Sequence, residues 1–277
     1  MENPIISVRD LRYSYGGATE ILKGISADIW AGERIAVIGT NGAGKSTFFL
    51  NLNGVLQAEA GDIYFHGEKI TYSKTDLIKL RQGIGIVFQD ADNQIIATTV
   101  RGEVSFGPMN LKLPKDEVVA RVDKALTYMN LLDFKDRAPH YLSGGEKKRV
   151  TIADIIAMYP EVIIFDEPTA ALDPVNVSAL EGVLEKLSKE GKTLIISTHD
   201  LDFAYRWAER VIVFGRGEII FDGKPEEVFQ QDAILQRANL TRPIMVDIRN
   251  ILIEKGILQN DSPHIKSPIE LEQILHK

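Results

Sequence analysis

Between Ile35 and Thr47 a short apolar run, Ile35-Ala36-Val37-Ile38, leads into Gly39-Thr40-Asn41-Gly42-Ala43-Gly44-Lys45-Ser46-Thr47. This is the pattern G-x-x-x-x-G-K-[ST], filled by Gly39, Gly44, Lys45 and Ser46. Glycine lets the backbone curl until successive N–H groups face one anion. A helix over Lys45 to about Asn53 would aim its positive end at the same point. Lys45 then reaches the β- and γ-phosphates, and the Ser46 hydroxyl can ligate Mg²⁺. A plain glycine turn before a helix is the simpler reading. The complete motif in a strand–turn–helix setting favours a nucleotide and an α/β fold.

Length bounds what surrounds this loop. At 277 residues the chain fits two domains, or one large α/β domain with an appendage. A net charge of -7 argues against nucleic acid as the main partner, because such proteins present a basic surface. Cysteine is absent, which removes disulfides, thiolate catalysis and cysteine-held metals. The start, Met1-Glu2-Asn3-Pro4, has no basic-then-apolar secretory pattern. No apolar run approaches the ~20 residues that cross a bilayer. Any service to a membrane would therefore go through docking to another chain.

Residues 5–30 read as strands around a polar turn at Gly16 and Gly17. Tyr13 and Tyr15 are either ordinary sheet aromatics or supply one face for an adenine ring. Asp62 to Gly67 reads as a strand running into a turn. Gly83 to Phe88 reads as an apolar strand that stops at Gln89, where α/β sheets place ligand contacts. Gln89 is then a candidate for touching Mg²⁺ or the attacking water, or is a plain loop glutamine. Asp90-Ala91-Asp92-Asn93-Gln94 follows as a polar loop.

Val118, Val122, Ala125, Leu126 and Met129 recur at helical steps, so residues 90–160 read as a mostly helical insertion with Pro114 in a first turn. Ser143-Gly144-Gly145-Glu146 then opens another helix and offers a second anion site at its N-terminus. Val162 to Phe165 is a buried strand that ends in Asp166 and Glu167. Asp166 suits Mg²⁺ and Glu167 suits general-base work on water. Thr193 to Ser197 is a further buried strand, tipped by His199, which can touch a γ-phosphate oxygen and a water. After a hairpin around Gly215-Arg216-Gly217 the chain turns helical. Ile244, Ile248, Ile251 and Leu252 form an apolar stripe, Gly256 suits a helix stop, and Ser267-Pro268-Ile269-Glu270 reads as a capping box.

The phosphate loop, Gln89, Leu142-Ser143-Gly144-Gly145-Glu146, the Asp166-Glu167 pair and His199 follow the order found in ABC-transporter ATPases. Over residues 5–230 the chain resembles that family. The resemblance implies a P-loop NTPase with a RecA-like parallel core sheet, an N-terminal antiparallel β subdomain and an inserted α-helical subdomain. Residues 1–230 would be the ATPase domain and residues 231–277 a C-terminal helical extension. By the same likeness Gly39–Thr47 is the Walker A loop, Gln89 the Q-loop residue and Ser143–Glu146 the signature. Asp166 becomes the Walker B aspartate, Glu167 the catalytic base and His199 the switch histidine. Ala171-Leu172-Asp173 resembles the D-loop, and Tyr15 fits the adenine-stacking position. The implied assembly is a head-to-tail dimer, in which one subunit's signature closes over ATP and Mg²⁺ held by the other.

Phe88 to Ile95, Thr99-Val100 and Phe106 to Leu111 are similar to a narrower group, the energy-coupling-factor importers, and within it the CbiO-type cobalt ATPases. That group implies import of a transition metal or vitamin and a place on the cytoplasmic face of the membrane. Its partners are a second ATPase subunit, a transmembrane coupling subunit and a substrate-binding membrane component. The C-terminal extension would help hold the ATPase pair. Two departures stand out: Glu146 where glutamine is usual, and Ala171 where serine is often found. A soluble ABC ATPase acting on ribosomes or DNA is the alternative. A nucleotide kinase or switch GTPase shares only the phosphate loop.

Overall fold

Strand β3 (Arg34–Ile38) shows how the layers arise. Ile35 and Val37 point to one face of its sheet and Ala36 and Ile38 to the other, and all four are buried. A strand buried on both faces must be central, and β3 is. The computed structural model describes residues 3–17, 19–170 and 172–276. Met1 and Glu2 of the N-terminal reading, and Ala171 of the Ala171-Leu172-Asp173 stretch, lie outside the described residues.

The chain begins with β1 (Ile6–Ser14) and β2 (Glu20–Ile29), followed by β3 and helix α1 (Lys45–Leu52). Next come β4 (Ala60–Phe65), β5 (Glu68–Lys69), α2 (Lys74–Gly83) and β6 (Ile84–Val87). The insertion carries α3 (Val100–Asn110), α4 (Lys115–Tyr128) and α5 (Gly144–Ala157). The core resumes with β7 (Val162–Phe165), α6 (Pro174–Lys189), β8 (Thr193–Ser197), α7 (Leu201–Trp207), β9 (Arg210–Gly215) and β10 (Glu218–Gly223). The chain closes with α8 (Pro225–Val228), α9 (Asp232–Ala238), α10 (Ile244–Glu254) and α11 (Pro268–Leu275).

Two sheets form. One is antiparallel in the order β2-β1-β4-β5, and the other runs β10-β9-β3-β8-β7-β6. The second is parallel from β9 to β6, with β10 as an antiparallel edge. This is the P-loop NTPase architecture with an antiparallel β unit, a helical insertion and terminal helices. Helix α1 lies between the sheets: Phe48, Phe49 and Leu52 join Val8, Leu11 and Ile63 from one side and Val37, Ile164 and Ile195 from the other. The opposite face of the parallel sheet packs on the inserted and C-terminal helices.

The apolar stripe read on α10 divides: Ile248 and Leu252 pack against the core, while its other two members face outward. Met245, Val246 and Arg249 are buried, whereas Ile244 and Ile251 are 60% and 53% exposed. The buried Arg249 guanidinium donates to the Asn260, Ser262 and Pro263 carbonyls, so a charged residue takes an inner position. Pro114 caps α4 from outside instead of entering its first turn. Ser267 caps α11, but the Glu270 carboxylate accepts from the Lys266 N–H and not from that of Ser267. Among the described residues, no helix is long and apolar enough to cross a membrane.

Candidate functional site

In a parallel sheet the carboxyl ends of neighbouring strands form a single edge. Here β3, β8, β7 and β6 lie side by side, with Val37 opposite Ser197, Phe165 opposite Ile196 and Val87 opposite Phe165. The edge therefore carries the phosphate loop, then Ser197 to His199, then Asp166 and Glu167, then Gln89. Strand spacing puts Gln89 three steps from the loop, about 14 Å, on the far rim of the crevice.

Gly39 has φ +145, and a Cβ there would lie 2.4 Å from the Phe214 carbonyl oxygen. Only glycine lets β3 turn this closely against β9. Thr40 is half-buried, Asn41 and Gly42 are exposed, and Ala43 and Gly44 are buried under the turn. Lys45 opens α1, and its ammonium donates to the Gly39 and Thr40 carbonyls at 2.8 and 3.2 Å. Burial lowers its pKa, and the nearby charges of Glu167 and Asp166 oppose that shift. Ser46 is exposed on the first turn and Thr47 is buried beneath it. Tyr15, just past β1, is half exposed, and its hydroxyl lies 3.4 Å from Thr47 Oγ1, which places the ring beside the phosphate loop.

Across the crevice the carboxylates are tightly organised. Asp166 is 8% exposed and accepts from the Ser197 hydroxyl at 2.6 Å. Glu167 has φ +44, a left-handed backbone uncommon outside glycine. Its N–H donates to Ser197 Oγ at 2.8 Å, and its carboxylate lies 2.8 Å from His199 Nε2. The donors that could converge on a cation are one carboxylate, Asp166, the Ser46 hydroxyl and, reaching in from the far rim, the Gln89 amide oxygen. That fits Mg²⁺, which takes few protein ligands and completes its shell with phosphate and water. Among the described residues no cluster of three His, Asp or Glu side chains forms an all-protein metal cage.

The Ser143 segment adjoins the Gln89 end of this edge, the end farthest from the phosphate loop. Ser143 caps α5, and a capping box closes it: Glu146 accepts from the Ser143 N–H at 2.7 Å and from its hydroxyl at 2.8 Å. The Glu146 N–H returns to Ser143 Oγ at 3.3 Å. The geometry thus gives Glu146 a supporting part, since its own N–H is taken and its carboxylate would repel an anion. Those bonds hold the Glu146 pKa below the usual carboxylate range. Gly144 keeps an open N-terminal position. Gly145 packs against Asn176 of α6 so closely that a Cβ would lie 2.5 Å from that side chain.

Two lysines of α5 escaped the sequence reading. Buried Lys148 donates to the Phe88 and Gln89 carbonyls at 2.6 and 3.1 Å, and Lys147 pairs with Asp92 at 2.6 Å. They clasp the Ser143 helix to the Gln89 loop. Asp92 is held by Lys147, and Asp90 accepts from the Asp92 N–H and the Asn93 amide. Ser197 was also missed, and only the strand register brings its hydroxyl beside the carboxylates.

The fold and this edge define a phosphate-loop nucleotide-binding protein with carboxylates facing the loop. The family model described as ABC transporter matches residues 22–170. The chain is 50% identical over 252 residues to the energy-coupling factor transporter ATP-binding protein EcfA of Methanothermobacter thermautotrophicus, covering 91% of this chain and 81% of that protein. It is also similar to the solved CbiO1 of Clostridium perfringens, described as part of the ABC transporter complex CbiONQ. The TM-score is 0.76 and the identity 44%, over 91% of this chain and 99% of that one. A dimeric ATP-binding cassette solved in a post-hydrolysis state with ADP and phosphate matches at a TM-score of 0.71 and 30% identity, over 79% and 98% of the chains. The chain belongs to the ABC transporter family as its ATP-binding ATPase component.

Proposed function

We propose that this chain binds and hydrolyses ATP as the peripheral subunit of an energy-coupling-factor importer, on the cytoplasmic face of a membrane. The observation that carries the reading is the single edge where Lys45, Asp166, Glu167 and His199 meet, in a chain half identical to EcfA. Lys45 holds the terminal phosphates, and the N–H groups of the loop cradle them. Asp166, Ser46 and Gln89 would hold Mg²⁺, which supplies charge neutralisation at the phosphates when bound. Glu167 accepts a proton from the attacking water, and His199 holds the Glu167 carboxylate in place. Tyr15 offers its face to the adenine.

Ser143, Gly144 and Gly145 open a helix clasped to the Gln89 loop, at the end of the edge farthest from the phosphate loop, and in this reading each chain carries two half-cages. A head-to-tail pair completes both. ATP then acts as an adhesive between subunits, and hydrolysis releases them, biasing a membrane partner between conformations. The cargo is cobalt or another transition metal or a vitamin, as the resemblance of Phe88 to Ile95 and Phe106 to Leu111 to the CbiO-type group implies. Exposed Ile96, Phe106 and Met109 beside the Gln89 loop suit the transmembrane coupling subunit. Exposed Ile244, Ile251, Ile257 and Ile269 suit the second ATPase subunit, which makes residues 231–277 an extension beyond an ATPase unit ending near 230.

Lys45→Ala and Glu167→Gln test this reading together. Titration calorimetry should show no tight ATP binding for the first and native binding for the second, whose turnover should be lost. Normal steady-state hydrolysis by Glu167→Gln would remove Glu167 from the base role. Co-expression with a membrane component should retain the chain in the membrane fraction. Recovery with ribosomes or DNA would favour the soluble alternative instead.

A further inference from the structure

Ser197 is fully buried at the tip of β8, one strand from the carboxylates. A serine hydroxyl has one proton to donate and lone pairs to accept with. Both capacities are used on adjacent residues: the proton goes to Asp166 Oδ1 at 2.6 Å, and Oγ accepts the Glu167 N–H at 2.8 Å. Glu167 needs that anchor, because φ +44 is a conformation its Cβ resists. Rotation of this backbone to the ordinary right-handed region would swing the carboxylate away from His199, now 2.8 Å distant.

We propose that Ser197 is a positioning residue for hydrolysis: its hydroxyl clamps the Glu167 backbone in the left-handed conformation while orienting the Asp166 carboxylate. The inference rests on the reading of Glu167 as the base. Ser197 is fully buried, and both capacities of its hydroxyl are spent on Asp166 and Glu167. Its influence passes through the two carboxylates and appears in turnover before it appears in nucleotide affinity.

Three variants separate this from a packing role. Ser197→Ala removes the hydroxyl without adding bulk. Ser197→Thr and Ser197→Val match each other in size and differ in the hydroxyl. Ser197→Ala should lose roughly 10²-fold in kcat, the scale set by about 1 Å of misplacement at a reacting centre. Its KM for ATP, and its affinity for a fluorescent ATP analogue, should stay within about threefold of native. Ser197→Thr should exceed Ser197→Val in kcat by at least tenfold. A kcat within threefold of native for Ser197→Ala, or equal rates for the Thr and Val variants, overturns the proposal. Glu167→Gln is measured alongside. If it hydrolyses normally, the base reading itself falls. If it is inactive while Ser197→Ala runs at the native rate, only the role of Ser197 falls.

Discussion

His199 Nε2 lies 2.8 Å from Glu167 Oε1, the side chains reaching each other from the tips of two adjacent parallel strands. The imidazole is 43% exposed and the carboxylate 19%, so the pair sits at the crevice mouth with its base on the inner side. This contact fixes the direction of a carboxylate that is otherwise free to rotate about its side chain. His199→Ala should therefore lower kcat by roughly the 10²–10⁴-fold typical of a positioned catalytic group. Binding of a fluorescent ATP analogue should be preserved. A rate near that of the native protein would make His199 a bystander.

The clasp between Lys148 and the carbonyls of Phe88 and Gln89 makes a second testable relationship. Burial lowers the lysine's pKa to about 8, against the attraction of Asp166 and Asp90. Lys148→Met keeps the stem and removes the donors. Amides of residues 89–95 should then exchange hydrogen several-fold faster, while those of β7 and β8 are unchanged. Equal exchange across the loop would mean that the lysine does not hold it.

Asp154, on the α5 face toward α3, carries a carboxyl whose pKa is raised to about 7. Burial is the main cause and the charge of Glu103 adds to it. In the unfolded chain that carboxyl titrates near 3.9. Between those values the native state binds the proton and the unfolded state does not, so stability falls as pH rises from about 4 to about 7. Asp154→Asn, which cannot ionise, should flatten this slope and be the more stable protein at pH 8. Urea unfolding at pH 5 and pH 8 reads the difference. Parallel slopes for both proteins would contradict the assignment.

Much of the core was legible because buried parallel strands carry continuous apolar runs that end in polar tips. Val162 to Phe165 with Asp166-Glu167, and Thr193 to Ser197 with His199, announce both their burial and their edge. The helical insertion showed through Val122, Ala125 and Leu126, which are buried as their spacing required. The left-handed turn at Glu167 left no mark, since its sequence neighbours are ordinary and the conformation is imposed by Ser197, thirty positions away. The lysine clasp was hidden for the same reason: Asp92 and Lys147 are 55 residues apart. The orientation of α10 was unreadable because Ile244, Met245, Val246, Ile248, Ile251, Leu252 and Ile253 put apolar groups nearly all round it. Arg249 turns inward with Met245 and Val246, its guanidinium donating to the Asn260, Ser262 and Pro263 carbonyls.

In the proposed reading, the N-terminus of the Ser143 helix and the Lys45–Glu167 crevice are two unfinished phosphate cages on one chain. The most direct test is the ATPase rate per chain across a dilution series, with sedimentation velocity on the same samples. The account predicts that the rate per chain falls as the paired species dissociates, and that activity follows the fraction paired. A species sedimenting as a single chain and hydrolysing ATP at an undiminished rate per chain would contradict it.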